Sequence, residues 1–264
     1  MKRIIALLVM LLISTVSYAD NSKHDFSIGT EVSSITYKEP ELMKNKGIMK
    51  GITGSYTYRN RLLLKAEGRY AFGEVDYSSP ISGTMDDIKD YIIEGRGLVG
   101  YGISPKPFGF EVSPYTGIGY RYLNNDMGHR FTSVGHFGYE RESMQWYLPL
   151  GLELIKSFKN NWSVVITGEV NTLLRGRQKN HVGYIPGYVD FTNKQRNGFG
   201  QRVSLELKKE TPKITYSIGP FLRHSDIRQS ETAVGAYIIP TIPIEFIEPR
   251  NQSTEVGVQF KVTF

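Results

Sequence analysis

Apolar and polar residues alternate without interruption over the last eleven positions of the chain, from Thr254 to Phe264. Because successive side chains of a β-strand point to opposite faces, this pattern predicts a strand with one apolar face and one polar face. The residues of the apolar face are Thr254, Val256, Val258, Phe260, Val262 and Phe264. A strand of this kind suits a wall that separates lipid from a polar interior.

The same alternation recurs along the chain in ten segments. They cover residues 25–37, 47–59, 61–76, 88–102, 109–123, 139–156, 161–174, 198–209, 213–227 and 252–264. Each is at least as long as the about 9–11 residues that a tilted strand needs to cross a bilayer. We therefore predict an all-β fold, a single transmembrane antiparallel up-and-down β-barrel of about 10 strands.

The connections between these segments alternate in length. Residues 59–60, 104–108, 157–160 and 210–212 are short turns, whereas residues 38–46, 77–87, 124–138, 175–197 and 228–251 are longer connections. Outer-membrane barrels have short turns on the periplasmic side and longer loops outside. If both termini lie in the periplasm, the four short turns and five long loops match the predicted number of strands.

Residues 1–19 have the pattern of a secretory signal peptide. Lys2 and Arg3 precede an apolar run of ten residues, Ile4 to Ile13, and Ser17-Tyr18-Ala19 forms a cleavage site with small residues at both ends. An uncleaved anchor is the alternative, but this run is shorter than the about 20 residues of a membrane helix. We predict a signal peptide at 1–19 and a β-barrel domain at 20–264.

The composition narrows the chemistry that is available. The chain has 17 Tyr, 13 Phe and 27 Gly residues but no cysteine, which excludes disulfides, a lipoprotein acyl site and thiolate metal sites. The formal charge of +6 is spread without a basic run of five residues, so no nucleic-acid partner is expected. The five histidines show no His-x-His or His-x3-His spacing, so we predict no metal site and no cofactor.

Several segments resemble outer-membrane β-barrel proteins of Gram-negative bacteria. The closing strand that ends in Phe264 does so, and so do three further runs: Gly117–Leu123 (GIGYRYL), Gly138–Ser143 (GYERES) and Glu248–Gly257 (EPRNQSTEVG). The resemblance is to a porin-like or OmpA-barrel-like, uncharacterised subgroup. It implies an outer-membrane location, contact with outer-membrane lipid and lipopolysaccharide, and recognition of Phe264 by the barrel-insertion machinery. It names no surface ligand.

Charged residues of both signs occupy positions that the alternation directs into the barrel. This predicted lumen network consists of Glu67, Arg69, Glu94, Arg96, Glu111, Arg121, Arg141, Glu153, Glu169, Arg202, Glu206 and Lys261. Side chains just fill a barrel of about eight strands, and a buried charge without a partner is costly. We therefore expect a narrow, salt-paired lumen and a non-enzymatic protein whose outer loops serve surface binding or structure. A small-solute porin is the alternative.

An outer-membrane hydrolase is a further alternative. Omptin proteases also have ten strands and use an Asp pair facing an Asp–His pair; here the candidates are Asp86 and Asp87 in the second outer loop, with His181 and Asp190 in the fourth.

A second weak candidate is the run His224-Ser225-Asp226, because outer-membrane acyl hydrolases use a Ser and a His on the lipid-facing wall. Adjacent residues of a strand point to opposite faces, so we expect a structural role for this run.

The fifth outer loop contains an apolar stretch, residues 233–247. A stretch of this length should not stand free in water. It could form a lid, bind a partner or extend the last hairpin, and the parity that it shares with the closing strand favours extension of the hairpin.

Overall fold

The computed structural model describes residues 23–104, 109–238 and 242–264. The predicted signal peptide and most of the predicted turn at 104–108 lie outside these residues. The strands are β1 (His24–Glu39), β2 (Met43–Asn60), β3 (Leu62–Ser79), β4 (Gly83–Tyr101), β5 (Glu111–Asp126), β6 (Glu140–Ser157), β7 (Trp162–His181), β8 (Phe191–Gln195), β9 (Gly198–Glu210), β10 (Thr215–Ile227), β11 (Ala233–Ile238), β12 (Ile242–Phe246) and β13 (Asn251–Thr263). A single turn of 3-10 helix, Lys159–Asn161, joins β6 to β7.

Ten of these strands close into an antiparallel barrel, as the sequence predicts. The hydrogen-bonded order is β6-β5-β4-β3-β2-β1-β13-β10-β9-β7, and pairing of β6 with β7 closes the ring. β8 pairs with the outer end of β7, and β11 pairs with β12 in a separate two-stranded sheet. Among the described residues, no helix is long and apolar enough to span a membrane.

The alternation seen in the sequence corresponds to an apolar outer wall and a polar interior. On β1, Ile28 is 61% exposed on the outer wall, whereas Glu31 is 3% exposed inside. The first strand β1 pairs with the last strand β13, and outward residues lie opposite outward residues there: Val32 pairs directly with Val258. Phe264 is exposed at the inner end of this seam, where its backbone amide donates to the carbonyl of Phe26 at 2.8 Å. Such a wall is stable only with an apolar medium around it.

Aromatic side chains ring the outer wall at two heights. Near the inner turns, Phe26 packs against Tyr56 with ring centroids 4.9 Å apart. Toward the outer connections, an outer girdle is formed by Tyr70, Phe72, Tyr91, Tyr120, Tyr122 and Trp146, whose neighbouring rings lie 4.9–6.3 Å apart. Rings with a polar edge favour the boundary between membrane and water, so the two heights mark the edges of the lipid-facing band.

The first two outer connections are tight turns, which contradicts the predicted long loops at 38–46 and 77–87. β1 and β2 are joined by residues 40–42, and β3 and β4 are joined by residues 80–82. The strands continue beyond the outer girdle because their inward positions stay apolar; Tyr37, Met43 and Met85, for example, are buried. We call this part of the barrel, between the outer girdle and the outer connections, the outer extension.

A hydrophobic core fills one side of the outer extension. Its buried members are Ile35, Tyr37, Met43, Met49, Ala71, Val75, Met85, Ile88, Ile92, Leu123 and Met127. All come from β1 to β5 and the start of the following loop. The sequence interpretation placed charged groups throughout the interior, whereas this side of the outer extension is packed mainly with apolar side chains. Apolar side chains packed in this way exclude water from the space between them.

The apolar stretch at 233–247 forms a hairpin of its own, β11 and β12, and the expectation that it extends β10 and β13 is wrong. Its partner is the loop between β7 and β9: Phe246 stacks on Phe191 with centroids 5.4 Å apart, and Tyr188 makes an isolated bridge to Ala236. Apolar side chains from two outer loops thus cover each other, which removes them from water.

Candidate functional site

Four charged residues from four strands form the centre of the barrel interior. Arg69 donates from Nε to Oε1 of Glu31 at 2.5 Å and also binds Glu255. Arg223 reaches the same two carboxylates, with Nη2 2.9 Å from Glu31 Oε2 and Nη1 3.3 Å from Glu255 Oε2. The side chains of Glu31, Glu255 and Arg69 are nearly inaccessible. Two guanidinium groups and two carboxylates therefore neutralise each other inside the lumen.

A second group of ion pairs lies beside this cluster. Arg96 binds Glu67 at 2.5 Å and Glu169 at 2.8 Å. Arg202 binds Glu94, and its Nε is 3.4 Å from Glu169. Because these residues project from β3, β4, β7 and β9, their contacts join strands on opposite sides of the barrel.

Two tyrosines extend this network by lying flat across glycines on the neighbouring strand. The hydroxyl of Tyr147 donates to Glu94 Oε1 at 2.6 Å, and that of Tyr115 donates to Glu169 Oε2 at 2.9 Å. A Cβ atom on Gly119 would overlap the ring of Tyr147, and one on Gly151 would overlap the ring of Tyr115. Glycine at these two positions therefore lets each ring reach its carboxylate.

Further ion pairs occupy the inner end of the lumen. Lys261 binds Glu206 at 2.6 Å, and Arg59 binds both Glu111 at 2.8 Å and Glu153 at 2.5 Å. The sequence interpretation assigned Arg59 to a turn. It has the same parity as the inward-facing Thr57, and this signal would have identified it as part of the interior.

Each of the twelve residues of the predicted lumen network takes part in an ion pair. The weakest contact is that of Arg121, whose Nη2 is 3.9 Å from Glu255 Oε1. Two interior cavities border these pairs, with volumes of about 130 Å³ and about 50 Å³. Polar spaces of this size hold water molecules.

An acid-rich cluster closes the outer extension. Arg141 binds Glu39 at 2.8 Å, and the hydroxyl of Tyr37 donates to Glu248 Oε1 at 3.1 Å. Glu248 belongs to the connection between β12 and β13 and is buried, so this outer loop reaches into the barrel mouth. Burial, together with the neighbouring Glu39 carboxylate, raises the pKa of Glu248 to about 7. Sequence parity gave no signal for Glu248, because it lies in a loop.

The run at 224–226 is divided between the two faces of β10. His224 Nδ1 is 2.9 Å from Thr254 Oγ1, and Asp226 accepts hydrogen bonds from Arg250 and Gln252 on the outer wall. Ser225 borders the smaller interior cavity. In the part of the chain that the structure describes, no hydrogen bond joins the Ser225 hydroxyl to His224, so the run does not form a nucleophile–base pair.

The residues of the protease-like hypothesis, Asp86 and Asp87 with His181 and Asp190, lie in two separate groups. The backbone carbonyls of Asp86 and Asp87 accept hydrogen bonds from Arg130 at 2.6 Å and 3.0 Å. His181 does lie beside its predicted partner, with Nδ1 3.4 Å from Asp190 Oδ2, and its Nε2 is 3.3 Å from Glu142 Oε1. Within residues 23–104, 109–238 and 242–264, no hydrogen bond or ion pair joins the two groups.

The chain matches the family "Outer membrane protein beta-barrel domain" over residues 5–184. Among solved structures it is similar to the outer membrane protease OmpT from Escherichia coli, with a TM-score of 0.62, 10% identity, and coverage of 95% of this chain and 100% of that one. It is also similar to the translocator domain of the autotransporter NalP from Neisseria meningitidis, with a TM-score of 0.45, 8% identity, and coverage of 98% and 95%. No curated protein matches the sequence.

Proposed function

The chain belongs to the outer membrane protein β-barrel domain family and is located in the outer membrane, and on that premise we propose that it is a non-enzymatic barrel with a closed lumen. Its role is then to hold a rigid structure at the cell surface, formed by the outer extension and the loops that pack on it, for surface binding or structural support. The observation that carries this proposal is the set of ion pairs that cross the lumen.

The ion pairs support closure because they connect strands that are not neighbours in the barrel. A solute entering the barrel would have to separate Arg69 from Glu31 and Glu255, or Arg96 and Arg202 from their acids. Removing one partner of a buried pair costs about 3–5 kcal/mol. Several pairs would have to open together, since they share carboxylates such as Glu169. Passage through this interior is correspondingly unfavourable.

The geometry of the run at 224–226 supports a role without catalysis. His224 is hydrogen-bonded to Thr254, and Asp226 is held by Arg250 and Gln252, so neither is oriented toward Ser225. The similarity to an outer-membrane protease is at 10% identity and concerns the fold. A nucleophile needs a base within hydrogen-bonding reach, and this run lacks that contact.

Outer-membrane lipid and lipopolysaccharide are the proposed partners of the outer wall. On β2, Lys44, Lys46 and Lys50 are all exposed on the lipid-facing parity, with Lys38 of β1 directly opposite Lys44. A column of ammonium groups at this height favours anionic phosphates of lipid headgroups. At the opposite end, the exposed Phe264 remains available as the proposed signal for the insertion machinery.

A liposome-swelling assay with sugars of graded size tests the proposal against the porin alternative. Vesicles that contain the purified, folded protein are expected to swell no faster than protein-free vesicles, while a general porin inserted at equal density gives rapid swelling. Size-dependent swelling with this protein would overturn the closed-lumen proposal and support the small-solute pore. Hydrolysis of lipid or peptide substrates that is lost in Ser225→Ala or His224→Ala would overturn the non-enzymatic part.

A further inference from the structure

A histidine and two glutamates meet on the outer wall of the outer extension. In the register between β6 and β7, Glu140 pairs with His181, and Glu142 lies two residues along the same face. One carboxylate oxygen of each glutamate and one ring nitrogen of His181 all lie within 4.8 Å of one another. The sequence separates these groups by about forty positions, so only the strand register brings them together. None of the contacts that fill the lumen uses them.

We propose that Glu140, Glu142 and His181 form a binding site for a divalent transition-metal cation of the Zn²⁺ class. One imidazole and two carboxylates are a common ligand set for Zn²⁺, and three protein ligands leave a fourth position open to water or an external ligand. Because the chain has no cysteine, the site takes only nitrogen and oxygen ligands.

The orientation of His181 favours a cation between it and the glutamates. Its Nδ1 lies 3.4 Å from Asp190 Oδ2, and its Nε2 lies 3.3 Å from Glu142 Oε1. Nε2 is buried and has no hydrogen-bond partner in the described part of the chain. If Nδ1 carries the proton toward Asp190, the lone pair of Nε2 points at a carboxylate, and a bound cation relieves that repulsion. A carboxylate that orients the other ring nitrogen is typical of metal-binding histidines.

A second polar contact holds one of the glutamates in place. Asn124 is buried on the neighbouring strand β5, and its Nδ2 donates to Glu140 Oε1 at 2.6 Å. This hydrogen bond fixes the carboxylate and leaves its other oxygen available to an ion. Hydrogen-bonded carboxylate ligands are a feature of built metal sites.

Two features of the site limit its affinity for Zn²⁺. The ligand atoms of a tetrahedral Zn²⁺ site lie about 3.4 Å apart, given bond lengths of about 2.1 Å, so the side chains must contract around the ion from their present spacing. Lys179 pairs with Glu142 in the strand register and competes with a cation for its charge. A saturable site of moderate affinity is therefore expected.

Isothermal titration of chelator-treated, detergent-solubilised protein with Zn²⁺ tests the site. The wild type is expected to bind one ion, and His181→Gln or Glu142→Gln should weaken binding at least tenfold. The matched control is His136→Gln, which removes an exposed histidine of a different loop and should leave binding unchanged. Asp190→Asn should weaken binding less than His181→Gln, because Asp190 only positions the ring.

The outcomes separate this site from two alternatives. Absence of saturable binding to the wild type, or equal binding by the wild type and His181→Gln, would overturn the proposal. Equal affinity for Ca²⁺ or Mg²⁺ would overturn the assignment to the transition-metal class, since those ions prefer oxygen ligands alone. Because a variant could fold poorly, amide exchange of the wild type gives a second measurement. Zn²⁺ should slow exchange in residues 182–190, and unchanged exchange there would also count against the site.

Discussion

Replacing Arg69 by methionine tests how much of the barrel's stability depends on the central ion pairs. The methionine keeps an apolar chain of similar length and removes the positive charge. Arg69 is 5% exposed and lies between Glu31 and Glu255, which are 1% and 3% exposed. The variant leaves these two carboxylates with Arg223 as the nearest shared cation.

The expected cost follows from the uncompensated buried charge. Removing one partner of a buried ion pair destabilises a protein by about 3–5 kcal/mol. In the double variant Arg69→Met with Glu255→Gln the charges balance again, so most of this loss should be recovered. A matched control is Arg196→Met, because Arg196 and its partner Glu231 are 72% and 46% exposed. An exposed pair of this kind contributes little to stability, because water and salt screen it.

Urea unfolding of the protein in lipid vesicles, followed by the fluorescence of Trp146 and Trp162, measures these differences. The reasoning predicts a large loss of unfolding free energy in Arg69→Met, partial recovery in the double variant and little change in the control. A loss no greater than that of the control would refute it. So would a double variant less stable than Arg69→Met, because relief of a buried negative charge could not then be the dominant effect.

Two further predictions concern the glycines of the wall and the buried acid at the mouth. Gly119→Ala should destabilise the barrel by about 1–3 kcal/mol, because the new methyl overlaps the Tyr147 ring. Gly68→Ala is the control: a Cβ there meets open space, so the midpoint of urea unfolding should change little. Equal shifts of the urea midpoint in the two variants would contradict this prediction. Since the pKa of Glu248 is raised to about 7, its proton is bound more tightly in the folded state. The loop contact it makes should therefore be strongest below about pH 4.5 and weaken as the pH rises through about 7. Exchange of the amide hydrogens of Ser230 and Glu248, corrected for intrinsic rates, should be faster at pH 8, where the loop contact is weaker. In Glu248→Gln this exchange should not depend on pH. If that variant kept the pH response of the wild type, Glu248 would not be the titrating group.

The sequence identified the strands because the alternation between lipid and interior is a local property. The outward orientation of residues such as Val256 and Val258 can be read from the strand's own sequence, without knowing which strands lie beside it. Strand parity also placed charged residues such as Arg69 and Glu255 inside. Strand parity could not predict which of these charged residues form ion pairs, because the pairing depends on the register between strands that are distant in the sequence. The contact between Arg69 and Glu255 joins positions 186 residues apart.

Two other features could not be predicted from the local sequence pattern. The tight turns at 40–42 and 80–82 fall in segments predicted as loops, because several inward positions there, such as Tyr37, Met43 and Met85, are apolar while the strand continues. Glu140, Glu142 and His181 have no sequence spacing that indicates a shared site, and the pairing of β6 with β7 brings them together. In both cases the determining contacts are tertiary.

Single-channel recording in planar lipid bilayers tests the central claim most directly, namely that ion pairs close the lumen. After insertion of the folded wild-type protein, the account predicts no stable conductance steps at moderate voltage and in 1 M KCl, a salt concentration that screens surface charge but only weakly affects buried pairs. Reproducible steps comparable to those of a general porin would contradict it, because ions would then be passing where Arg69, Arg96 and Arg202 connect non-adjacent strands through the interior.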